Sequence, residues 1–158
     1  MVSIEATTPE ATEGAADNTL AFTISQNNVS NFDTEVSVSL GTDNAVDAAD
    51  INQISYTVDG VADVVITDPT EIADFLATGS VTIPAGSTFT PVITITAKDD
   101  TIFENSEDLV LDIDTDTDFA SVSPTEGSAT GTILDEDQAD NAQDNPDNTD
   151  DPINRKAE

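Results

Sequence analysis

Ile93-Thr94-Ile95-Thr96-Ala97-Lys98-Asp99-Asp100-Thr101-Ile102-Phe103-Glu104-Asn105-Ser106-Glu107-Asp108-Leu109-Val110-Leu111-Asp112-Ile113 decides how this chain folds. At its start Ile93 and Ile95 alternate with Thr94 and Thr96; at its end Leu109, Leu111 and Ile113 alternate with Val110 and Asp112. Successive side chains of a strand point to opposite faces, so this period of two marks half-buried strands. Between the two strands lies a loop carrying Asp99, Asp100, Glu104 and Glu107.

The same alternation extends outward in both directions. Leu20, Phe22 and Ile24 alternate with Ala21, Thr23 and Ser25; Val36, Val38 and Leu40 with Ser37 and Ser39; Val81 and Ile83 with Ser80 and Thr82. Ala129, Gly131 and Ile133 form a last strand, and a further one is expected near Ile54–Val58. Pro84-Ala85-Gly86 and Pro124-Thr125-Glu126-Gly127 punctuate them as turns. Only Glu71-Ile72-Ala73-Asp74-Phe75-Leu76-Ala77 reads as helical, with Asp68 or Thr70 as its cap and Pro69 at an early position. About seven short strands predict an all-β chain, a seven-stranded antiparallel Greek-key sandwich with a short helical insertion near 68–78. No internal repeat of solenoid period is visible.

Composition narrows the chemistry. The 158 residues carry 33 acids against 3 bases, a formal net charge of -30. With no His and no Cys, the chain cannot build a Ser-His-Asp or Cys-His apparatus, an N/S zinc site or a disulfide. A carboxylate-based glycosidase is disfavoured by the absence of Trp and the single Tyr56, so no enzyme activity is expected. A surface this negative repels nucleic-acid phosphates and anionic lipids, and no apolar run is long enough to span a membrane. No secretory leader is visible after Met1. Residues 138–158, dominated by Asp, Asn and Pro, read as an acidic linker or tail, leaving 1–137 as the folded body.

Such a surface attracts hard divalent cations. Four acidic groups sit beside strand ends: Thr12-Glu13-Gly14, Asp47-Ala48-Ala49-Asp50, the 98–107 loop, and Asp135-Glu136-Asp137. Crowded carboxylates repel one another unless a cation sits among them. Calcium, which takes 6–8 oxygens at ~2.3–2.6 Å, tolerates irregular loops better than magnesium. The alternatives remain a solvated acidic hairpin at 99–107, a turn role for Glu13, Asp47 in place of Asp50, and the start of the acidic tail at 135–137. Asp114-x-Asp116-x-Asp118 imitates an EF-hand but has Phe119 where Gly is required and Thr125 where Glu is required.

Asp99-Asp100-x-x-Phe103-Glu104-x-x-Glu107, then Thr132-Ile133-Leu134-Asp135-Glu136-Asp137, resembles the Calx-beta domain. Thr82-Ile83-Pro84-Ala85-Gly86 and Thr12-Glu13-Gly14 are also similar to that family's segments, so the resemblance covers about residues 10–137. It implies an immunoglobulin-like sandwich with Ca2+ at one end, where the domain meets its neighbour. Carried over by motif, the implied ligands are Glu13, Asp50, Asp99, Asp100, Glu104, Glu107, Asp135, Glu136 and Asp137. Glu136 alternatively offers only its carbonyl. Thr101 stands where a third acid is common, and 52–79 looks like an insertion. The family includes tandem modules of large bacterial surface proteins and regulatory domains of sodium–calcium exchangers. The first branch predicts a monomeric extracellular extender whose partners are adjacent domains of the same polypeptide; the second predicts a Ca2+ sensor.

Overall fold

A computed structural model describes residues 1–41, 46, 48–58, 62–99, 105–115 and 120–134. The expected tail at 138–158 lies outside the described residues. Among the described residues there are ten strands, one α-helix and a 3-10 turn at Ala48–Asp50: β1 Val2–Thr8, β2 Glu10–Thr12, β3 Thr19–Gln26, β4 Thr34–Leu40, β5 Ile51–Val58, β6 Ala62–Ile66, α1 Pro69–Thr78, β7 Gly79–Ile83, β8 Val92–Ala97, β9 Glu107–Thr115 and β10 Ser128–Leu134. They form two five-stranded sheets, ordered β1-β3-β8-β5-β6 and β2-β10-β9-β4-β7. Chain neighbours β3 and β4 belong to different sheets, the crossing expected of a Greek-key sandwich.

The alternating residues meet between the sheets. Leu20, Phe22 and Ile24 of β3, Ile93 and Ile95 of β8, Val36 and Val38 of β4, and Leu109 and Leu111 of β9 are fully buried. Each such side chain contributes about 1.5–3 kcal/mol relative to exposure. At Gly131 of β10 the sheets approach so closely that an added Cβ would lie 2.9 Å from Leu20 Cδ2 and 3.1 Å from Phe22 Cζ.

The expected seven strands are corrected to ten. The three additions are β1, β2 and β6. Along β1 the alternation fails at a register shift between Ala6 and Thr8, and the chain then switches sheets at Pro9. β2 pairs with β10 in parallel, so the sandwich is not wholly antiparallel. β6 lies in the insertion and pairs with β5. The helix forms where expected. Asp68 caps it, its Oδ1 accepting from the Thr70 and Glu71 amides at 2.8 and 3.3 Å, and Pro69 follows as the first helical residue. Ile72, Phe75 and Leu76 form its buried face. No helix among the described residues is long and apolar enough to cross a membrane.

Candidate functional site

The strand registers bring several acidic segments to one pole. β10 runs beside β2, Leu134 opposite Thr12, and the Glu13 amide donates to the Leu134 carbonyl at 2.9 Å. That carbonyl belongs to the peptide leading into Asp135. Glu107 opens β9 opposite Ile133, which places it one residue short of the end of β10. In the other sheet, Ile51 at the start of β5 faces Ala97 at the end of β8, and the Lys98 amide donates to the Asp50 carbonyl at 3.0 Å. Asp99 follows, exposed.

The two halves of this pole are stitched together by main chain. The Thr12 amide donates to the Asp17 carbonyl at 2.9 Å, and the Ala97 amide to the Asn18 carbonyl at 2.9 Å. The turn between β2 and β3 thus bridges the sheets. It depends on Gly14, whose φ of 70° lies in the left-handed region that L side chains resist. This is the physical content of the Glu13-Gly14 pair: the glycine reverses the chain while Glu13 stays anchored to β10. Glu13 is only 8 % exposed, and a carboxylate so placed is costly unless hydrogen-bonded, paired or metal-bound. Asp50 and Glu107 are half-buried.

Of the nine expected ligands, Glu13, Asp50, Asp99 and Glu107 are described, and all four chain positions reach this pole. Asp100, Glu104, Asp135, Glu136 and Asp137 lie outside the described residues, as does the rival Asp47. Among the described residues, no three or more His, Cys, Asp or Glu side chains converge closely enough to hold a metal ion. The donors offered are all oxygens, carboxylates and strand-end carbonyls, the chemistry suited to a hard cation. Two further acids arrive here unanticipated. Asp17 is in the bridging turn; Asp108 is the second residue of β9, its Oδ1 accepting from Thr132 Oγ1 at 2.8 Å. Their signal was the same adjacency to strand ends. Asp114, from the rejected EF-hand imitation, sits near the opposite end of β9, exposed, and caps the Thr115 amide at 2.8 Å.

No family model and no curated protein matches the chain. Solved structures do. CBD12 from CALX1.2 superposes with a TM-score of 0.53 at 15% identity, covering 84% of this chain and 44% of that one. The calcium binding domain CBD12 of CALX1.1 gives 0.47 at 16% identity, over 84% and 44%. A two-domain protein of unknown function from Bacteroides fragilis gives 0.51 at 10% identity, covering 85% and 45%. The chain therefore spans a little under half the length of these structures. Its immunoglobulin-like sandwich is the fold seen in the Calx domains, in agreement with the Calx-beta resemblance of the motifs.

Proposed function

We propose that this chain is a calcium-dependent structural module of a larger extracellular, adhesin-like protein, with Glu13, Asp50, Asp99, Asp100, Glu104, Glu107, Asp135, Glu136 and Asp137 as the ligand set. The observation that carries the reading is the backbone link between Glu13 and Leu134, which sets a buried acid against the entrance to the Asp135–Asp137 triplet. When bound, Ca2+ supplies the positive charge that lets these carboxylates coexist. The chain's own part, among the described residues, is to bring Glu13, Asp50, Asp99 and Glu107 to one pole, with Glu13 and Asp50 fastened by main-chain hydrogen bonds to Leu134 and Lys98.

The direction of the chain supports a linking role. β1 starts at the opposite pole, Val2 opposite Gln26 at the far end of β3, while β10 ends beside Glu13. A sandwich whose first and last strands start and end at opposite poles can be strung head to tail, and a cation beside the end of β10 would stiffen a junction to a following domain. Calcium at ~10–100 times its Kd stabilises a site by about 1.4–2.7 kcal/mol. The test is thermal unfolding in millimolar calcium against chelator, with sodium chloride at matched ionic strength. A rise of roughly 4–12 °C specific to calcium is expected. An unchanged midpoint, or an equal rise with sodium, refutes the reading.

A further inference from the structure

The insertion between β5 and β7 builds a feature that the calcium reading does not use. β6 ends its sheet, and among the described residues it pairs only with β5. The opposite edge strand, β1, is covered: the Val2 amide donates to the Ser121 carbonyl at 2.7 Å, the Ser123 amide to the Val2 carbonyl at 2.8 Å, and the Ile4 amide to the Glu126 carbonyl at 2.8 Å. β6 instead leaves Val64 at 37% and Val65 at 55% exposure, two of the five exposed large hydrophobics among the described residues. Edge strands are normally blunted by Lys, Pro or a bulge; β6, Ala62-Asp63-Val64-Val65-Ile66, carries a single charge.

Beside this edge lies a groove of about 320 Å³ whose lining includes Tyr56, Ile66, Phe75, Glu71 and Asp74. Tyr56 and Phe75 stack with ring centroids 5.2 Å apart and planes 21° apart. The groove thus pairs an aromatic floor with two carboxylates, the combination that holds a cationic side chain.

We infer that β6 and this groove form a docking surface for an extended basic peptide segment, which adds a strand to the sheet and lays alternate Lys or Arg side chains between the Tyr56–Phe75 pair and Glu71 and Asp74. Main-chain pairing gives affinity and the groove reads every second side chain. A second copy of this chain is the poorer occupant, because edge-to-edge pairing would juxtapose two molecules of charge -30. The test uses a fluorescein-labelled heptapeptide of alternating arginine and valine at physiological salt, where diffuse attraction is screened over ~8 Å. The comparison peptide has a central proline replacing valine. Glu71→Lys with Asp74→Lys is set against the remote pair Glu5→Lys with Glu126→Lys. Expected are binding of the first peptide, slowed amide exchange over 63–66, and affinity at least ~10-fold weaker in the groove variant alone. Equal binding of the proline peptide, equal loss in the remote variant, or no slowing over 63–66 overturns the inference. Concentration-dependent dimerisation abolished by Val65→Lys also overturns it, in favour of the second copy.

Discussion

Replacing Gly14 tests the turn on which the candidate site is built. Its φ of 70° is one that an L residue reaches only by bringing Cβ against its own backbone, at about 1–2 kcal/mol. The chain cannot relax freely around the change. Thr12 is held by the Asp17 carbonyl at 2.9 Å, Glu13 by the Leu134 carbonyl at 2.9 Å, and the Ala15 amide by the Thr12 carbonyl at 3.3 Å. Either the strain is kept or these bonds are lost, and both outcomes destabilise. For a domain of this size, Gly14→Ala should lower the midpoint by roughly 3–10 °C. Gly14→Asn, which tolerates the left-handed region, should lose less, and the β-branched Gly14→Val more. Differential scanning calorimetry of the series in chelator isolates the backbone effect from any metal. A Val variant as stable as the parent would refute the turn geometry and the placement of Glu13 that follows from it.

Three other outcomes are expected. Gly131→Ala forces a methyl against Leu20 and Phe22 across the sandwich and should cost about 1–3 kcal/mol, read by urea unfolding. Asp68→Ala removes the acceptor for the Thr70 and Glu71 amides and should cost about 0.5–2 kcal/mol. Glu13→Gln keeps shape but removes charge, and the calcium-induced shift of the midpoint should shrink. A calcium shift equal to that of the parent would remove Glu13 from the ligand set.

The sandwich was legible because its central strands set large aliphatic residues against Thr and Ser, as in Ile93-Thr94-Ile95-Thr96, and the buried face follows that alternation. The helix was legible because Asp68-Pro69 is a start signal independent of tertiary context. β1 and β2 were not, because a bulge and Pro9 break one periodic segment into two strands of different sheets. β6 was not, because Val64-Val65-Ile66 is apolar on consecutive positions; Ile66 pairs inward beside Ile54 while Val65 faces out. At the pole, the chain positions of Glu13, Asp50, Asp99 and Glu107 were legible from their place beside strand ends, while Asp17 and Asp108 were passed over. What no sequence pattern revealed is the stitching through Asp17 and Asn18, which depends on main-chain carbonyls.

A crystal grown in saturating calcium tests the central claim most directly. The account predicts anomalous density at the pole where Glu13 meets the end of β10, within ~2.3–2.6 Å of carboxylate oxygens drawn from the first turn, the long loop after β8 and the segment following Leu134. Density found only elsewhere, or carboxylates gathered there with no ion between them, would contradict it.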